Sequence, residues 1–268
     1  MSKTALSRGD YWFSLLTEKA TLCPNLCASV KAADGEIEGK LARFIAVVPD
    51  ANNAYPRARQ GEVGLLEGWT LAKVVREVIE QDKTKHDKRV IVAIIDVASQ
   101  AYGRREEAFA IHQALAGAAS AYADARLAGH PVIGLIVGKA MSGAFLAHGY
   151  QANRLIAFDD AKVMIHAMGK EAAARITLRS VDALEKLAAT IPPMAYDIEN
   201  YNKLGLLYKL LKIGNVEQPD TNEVELVKAT IGNAIKEVLN DGVYLQNRLH
   251  AQDRHASLLV RERMRAEW

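Results

Sequence analysis

Residues 129–149, GHPVIGLIVGKAMSGAFLAHG, contain the pattern in this chain best suited to chemistry. Pro131 opens an apolar run over 132–137, a Gly-bearing turn follows over 138–143, and small apolar residues resume over 144–147. A β-branched run bounded by Pro and Gly reads as a buried strand. Small residues after it let a helix begin tightly against that strand, and Gly138 and Gly143 let the backbone approach another group closely. A helix start directs free N–H groups and the positive end of a dipole at whatever lies there. Donors fixed in this way can hold negative charge as it develops on a carbonyl oxygen, which is the task of an oxyanion hole. A buried strand-turn-helix without a ligand is the plainer alternative. Ser142 and His166 also invite a nucleophile-and-base reading, and His166 could give a proton to a carbanion.

The elements around this turn must position it. Residues 89–97, RVIVAIIDV, read as a second buried parallel strand. It leads into ASQAYGRREEAFA, a loop at the carboxyl end of a strand, where α/β proteins place their sites. Residues 106–127 read as one long alanine-rich helix able to pack closely on its neighbours. The loops at 99–103 and 140–143 then lie at equivalent ends of successive strands, where each can offer an N–H to one oxygen atom. Residues 49–64, PDANNAYPRARQGEVG, form a long polar loop carrying Arg57 and Arg59. Long loops are commonly functional, and these arginines suit a phosphate or carboxylate as well as they suit a solvated loop.

Upstream, residues 1–20 read as an amphipathic helix with Tyr11, Trp12, Leu15 and Leu16 on one face. Residues 29–48 read as a hairpin turning at Asp34-Gly35, and 67–80 as a helix buried through Trp69, Leu71, Val74, Val75 and Ile79. Downstream, 152–158 and 161–168 read as two short strands. Helices are expected over 181–189, 193–211, 221–239 and 243–263. No Ser-, Gly- or Pro-rich linker interrupts the chain, so one domain over 1–268 is expected.

The formal net charge of +2 excludes a strong field for nucleic acid or a membrane surface. The longest apolar run is too short for a membrane span, and the N-terminus lacks the apolar core of a signal peptide. Cys23 and Cys27 are the two cysteines. With no second Cys or His pair beside them they make no zinc site, and they read as structural thiols of a reducing cytoplasm.

The segment from Ile94 to Gly149 resembles the second-half module of acyl-CoA carboxyltransferases in the crotonase superfamily. Asp96, Gly103, Glu107 and Ser142-Gly143 keep that module's order. Ala98 and Ser99 replace its Pro-Gly pair, and Ser142 replaces the first turn glycine. The chain is more specifically similar to the gamma subunit of malonate decarboxylase, through RGDYWFSLL, VVPDANNAYPRARQGEVGLLEGW and SGAFLAHG. The resemblance implies an α/β fold, a crotonase- or Clp-like spiral of ββα units with a helical C-terminal third. It implies a carboxy-lyase that pairs with a beta subunit and decarboxylates a malonyl thioester to the acetyl thioester. The substrate would ride on the phosphoribosyl-dephospho-coenzyme A arm of an acyl carrier subunit, with an alpha subunit exchanging acetyl for malonyl. By the family pattern the oxyanion donors are the N–H groups of Gln100 and Ser142. Gly103 and Gly143 shape the backbone. On residue chemistry, Tyr102, Gly103, Arg57 and Arg59 are the expected substrate contacts, with a loop cap for Tyr102 and a solvated loop for the arginines as the alternatives.

Three other readings stay open. The broken Pro-Gly loop at Ala98-Ser99 allows a non-catalytic scaffold for the beta subunit. A biotin-dependent carboxyltransferase subunit would share the module. A Clp-like peptidase shares the fold, but its nucleophile position falls on Met141. Hydratase chemistry is disfavoured because the positions of its acid residue are Phe145 and Leu146.

Overall fold

Helix α1 (Arg8–Leu16) starts on an Ser7 N-cap, whose side chain accepts from the Asp10 N–H, and it buries Trp12, Phe13 and Leu16. The computed structural model describes residues 6–249 and 251–268. The first five residues of the helix expected over 1–20 therefore lie outside the described residues. Strands β1 (Thr21–Leu22), β2 (Val30–Ile37) and β3 (Lys40–Val47) follow, then α2 (Leu65–Gln81) and β4 (Val90–Val97). Next come α3 (Arg104–Ala108), α4 (Ile111–Leu127), β5 (Val132–Met141) and α5 (Ser142–Ala147). Strands β6 (Arg154–Phe158) and β7 (Met164–His166) precede α6 (Lys170–Ile176), α7 (Val181–Ala188) and α8 (Ile198–Lys203). Strand β8 (Lys209–Leu211), α9 (Thr221–Asp241) and α10 (His255–Glu267) complete the order.

One sheet runs β1-β2-β3-β4-β5-β6-β8. Its first three strands are antiparallel and the rest parallel. β5 takes two partners in succession on one edge: residues 133–136 pair with β6, and 139–141 pair with β7. At the carboxyl end of β5, Ala140 thus pairs with Val97 of β4 on one side and with Ile165 of β7 on the other. β4 is buried throughout except at Asp96, and β5 except at Lys139, as continuous apolar strands require. α4 lays Ala114, Ala118, Ala121 and Ala125 against the interior. With so little side chain between them, α4 and α2 pack closely.

Several boundaries differ from those expected. The hairpin does not turn at Asp34-Gly35, which pair inside the ladder with Arg43 and Ala42. It turns at Glu38-Gly39, where φ is 49° and 72°. Two consecutive left-handed residues make the tight turn that matches strand twist. Asp34 instead accepts from Arg43 at 2.8 Å and from Arg89 at 3.1 Å. The helix expected over 106–127 is broken at Ala110, which has φ 60°. Trp69 does not join the buried face of α2 and is 50% exposed.

The turn expected over 138–143 is shorter, because β5 continues through Gly138 to Met141. A Cβ on Gly138 would lie 2.2 Å from the Asp96 carboxylate, so Gly is demanded there by close approach within a strand. Downstream, the helix expected over 193–211 is a 3-10 turn, α8 and β8. That over 243–263 resolves into 3-10 turns before α10, with residue 250 outside the described residues. No helix among the described residues is long and apolar enough to cross a membrane.

Candidate active site at two strand ends

Asp96, at the end of β4, ties three elements together. One carboxylate oxygen accepts from the Gly9 N–H and the other from the Lys139 N–H, each at 3.1 Å. The β4–β5 register shifts between Ile95 and Val97, where Asp96 opposes residues 137–139, and this local bulge bends β5. The arginine loop joins here as well. Val63 donates to the Ser99 carbonyl at 3.0 Å, and Ala101 donates to the Val63 carbonyl at 2.8 Å. That bridge points the N–H and C=O of Gln100 itself away from Val63.

The Gly143 N–H donates to Oε1 of Gln100 at 2.6 Å. The turns after β4 and β5 therefore touch through one hydrogen bond. Gln100 and Gly143 line one cavity of about 410 Å³ with Tyr102, His112, Leu115 and Leu146. Because the Gly143 donor is already engaged, Gly143 serves the backbone shape. Among the described residues the Gln100 N–H has no protein acceptor, whereas the Ser142 N–H stands at the end of the β5–β7 ladder, next to the Met141–His166 pair. Ser142 stands at φ 57°, an unusual conformation for a residue with a side chain. Its hydroxyl helps hold it there by donating to the Ala167 carbonyl at 2.7 Å.

The remaining residues singled out from sequence divide clearly. The exposed Tyr102 hydroxyl donates to Glu107 at 2.7 Å, and a hydrogen-bonded carboxylate raises the phenol's pKa. Arg57 packs on Gly103: a Cβ there would lie 2.6 Å from Arg57 Nε and 2.4 Å from Glu106 Oε2. Arg59 folds back on its own loop, donating to the Asn53 carbonyl at 3.1 Å. His166 pairs with Met141 in the β5–β7 ladder and is not among the residues lining the Gln100–Gly143 cavity. Its ring stacks on Tyr196 with centroids 3.9 Å apart, and burial lowers its pKa. Its Nδ1 lies 3.0 Å from the Met168 carbonyl while the Ser142 hydroxyl faces Ala167, so the two form no nucleophile–base pair.

Two residues important to this arrangement were not singled out from sequence. His112 lines the cavity from α4, hidden in an alanine-rich run whose facing no spacing rule gives. Glu67 is fully buried beneath the arginine loop. A visible signal was its place three residues after Gly64, the position from which Glu reaches back to a helix N-cap.

His148, just after α5, is structural. Its Nε2 meets the Ile94 carbonyl at 2.9 Å and its Nδ1 the Tyr122 hydroxyl at 3.0 Å. A carbonyl only accepts, so Nε2 carries the hydrogen and Nδ1 accepts from Tyr122. Burial pushes this histidine down to about 4, so it stays neutral in the fold. Between its ordinary 6.5 and about 4 the unfolded chain holds a proton that the folded chain does not. Stability therefore falls as pH drops through that window, by a total approaching about 3 kcal/mol. Urea unfolding midpoints between pH 7.5 and 4.5 will show this slope, and His148→Gln will flatten it.

Among the described residues no group of three or more His, Cys, Asp or Glu is placed to hold a metal ion. Cys23 and Cys27 are free thiols.

Residues 58–268 match the family model of the malonate decarboxylase gamma subunit. The chain belongs to that family. A Pseudomonas malonate decarboxylase hetero-tetramer in complex with coenzyme A contains a chain 59% identical to it, with TM-score 0.95, covering 98% of this chain and 100% of that one. The Pseudomonas MdcD-MdcE hetero-dimer contains a chain 57% identical, with TM-score 0.91 and the same coverage. Malonyl-S-ACP:biotin-protein carboxyltransferase of Malonomonas rubra is 35% identical over 164 residues, 60% of this chain and 56% of that protein. The chain thus spans little more than half the length of that curated relative. Transcarboxylase 12S, at 17% identity and TM-score 0.60 over 80% of this chain and 38% of that one, shares the fold. The α/β carboxyltransferase-like fold implied by the sequence resemblance is therefore the fold of this gamma-family chain.

Proposed function

We propose that this chain is the oxyanion-holding half of a malonyl-thioester decarboxylase. The observation that supports this most is the Gly143–Gln100 hydrogen bond, which closes two strand-end turns around one cavity. By the family pattern, the N–H groups of Gln100 and Ser142 are the pair that meets a thioester oxygen. Breaking the bond from the thioester α-carbon to the carboxylate releases carbon dioxide and leaves its electron pair in an enolate. The enolate charge rests on the thioester oxygen, between these donors. A proton then adds to the α-carbon and gives the acetyl thioester. His112 faces this cavity and is better placed for that proton than His166. Tyr102 lines the cavity, and Gly103 with Arg57, which lie against each other in the adjoining loops, are the further substrate contacts proposed.

The partner set is proposed from the family. It comprises a beta subunit like MdcD of the Pseudomonas hetero-dimer, an acyl carrier subunit with its phosphoribosyl-dephospho-coenzyme A arm, and an alpha subunit, all in the cytoplasm. The test is carbon dioxide release from a malonyl thioester by the chain co-purified with its beta partner. In Gly143→Ala the added Cβ would lie 2.6 Å from Gln100 Oε1 and displace that side chain. Misplacement of a catalytic group by about 1 Å costs up to ~10²-fold, so turnover falls about tenfold or more while the melting temperature changes little. Wild-type turnover in that variant counts against the site.

The Malonomonas similarity favours a second reading, transfer of the carboxyl group to biotin. Release of carbon dioxide that persists after avidin treatment separates decarboxylation from that transfer.

A further inference from the structure

Two arginines more than nine-tenths buried line one cavity distinct from that of Gln100 and Gly143. Arg126 ends α4 and Arg248 lies in a 3-10 turn before α10, with 8% and 7% of their surface exposed. Arg248 donates to the carbonyls of Tyr150, at 2.9 Å, and Ala152. Arg126 donates to the Val243 carbonyl at 2.5 Å and to Gln151 at 3.4 Å. In both residues the Nε donor has no partner among the described residues, although buried polar groups are nearly always paired. Arg254, Arg261 and Arg265 join them around a cavity of about 480 Å³.

No Asp or Glu is among the residues lining this cavity. The contrast with Arg154 is informative, because that buried arginine has both Asp241 and Glu237 as counter-ions. Burial pushes Arg248 down to about 10, and the charges of Arg126, Arg154 and Arg254 push the same way while Tyr150 opposes them. Positive charge is therefore collected here with no acidic residue among the described lining. Arg261 and Arg265 stand one turn apart on α10, so they share a face.

We propose that this cavity is a binding site for a phosphate-bearing anion, a pyrophosphate or a phosphomonoester. A single carboxylate balances one of the five guanidinium groups, whereas a phosphate offers several oxygens to the planar donor forks of arginine. The volume suits a small ligand, and the Tyr150 and Tyr244 rings supply apolar wall. The site stands at the amino ends of β5 and β6, where Arg126 precedes one strand and the Arg248-bound carbonyls precede the other. The catalytic turn is at the carboxyl end of β5, and its cavity shares no lining residue with this one. The proposal therefore does not depend on the decarboxylase reading.

Calorimetric titration of pyrophosphate, AMP and a hexaglutamate peptide into the full chain tests it. One saturable site is expected for pyrophosphate or AMP, and the preferred one identifies a diphosphate or a monoester. The Arg261→Gln/Arg265→Gln variant changes two exposed side chains and should weaken that binding at least tenfold without altering the circular dichroism spectrum. Arg248→Gln, if it folds, should abolish binding. Absence of saturable heat with either phosphate, unchanged affinity in the double variant, or tighter binding of hexaglutamate would each overturn the assignment.

Discussion

Replacing the Ser142 peptide N–H with an ester oxygen lowers malonyl-thioester turnover by about 10²–10³-fold, the usual effect of losing one oxyanion donor. The ester is the substitution that isolates the donor. Proline also removes an N–H, but it fixes φ near −65°, whereas Ser142 stands at φ 57°. A proline there would break the turn and confound shape with donation. Ser142→Gly is the matching control. It removes the hydroxyl bond to Ala167 and relieves the left-handed strain, yet keeps the N–H. Turnover within a fewfold of wild type is expected for the glycine variant, with the large loss confined to the ester. The readout is single-turnover carbon dioxide release in the intact complex with the beta partner. Equal rates for ester and wild type would mean that the partner's own residues hold the enolate and that this chain is their scaffold.

The buried strands β4 and β5 were legible because two-sided burial leaves a continuous apolar run. The position of the 99–103 loop followed from them. The end of β5 was not legible, since Gly138 looks the same whether it opens a turn or makes room for a carboxylate. What decides is Asp96, distant in sequence, whose oxygen occupies the space a Cβ would need. Asp34-Gly35 misled for a related reason. Its turn propensity is real, but pairing with Arg43 and Ala42 overrides it, and Glu38-Gly39 takes the reversal. The break at Ala110 carries no Gly or Pro to announce it. β8 is three residues long and exists through its pairing with β6, so no local period marks it. At the site, the family motifs singled out Gln100, Ser142 and Gly143. They did not disclose that the Gln100 side chain itself caps Gly143, because a side-chain direction across a loop depends on the fold around it.

The buried acid beneath the arginine loop gives the largest expected effect on stability. Glu67 is fully buried. One of its carboxyl oxygens accepts from the Ser29 hydroxyl and from Asn53 Nδ2, the latter at 2.7 Å. The other accepts from the Gly64 N–H at 2.9 Å. Truncation to alanine leaves three donors facing a void, and each unsatisfied buried group costs about 1–3 kcal/mol. Partial relaxation and shared partners reduce the sum, so Glu67→Ala should lose about 4 kcal/mol. The consequence extends to the cavity. Asn53 holds Arg59 through its carbonyl, and the same loop supplies Val63, which bridges the peptide groups on either side of Gln100. A loosened loop releases Gln100, and with it the cap on Gly143. Turnover should therefore fall together with the urea midpoint, even at temperatures where the variant is fully folded. Glu67→Gln should lie between the two, because it keeps the volume but turns an amide donor toward a donor. A midpoint shift equivalent to less than about 1 kcal/mol in Glu67→Ala would show that water or other loop contacts replace the carboxylate. A large shift with unchanged turnover would separate the loop from the site.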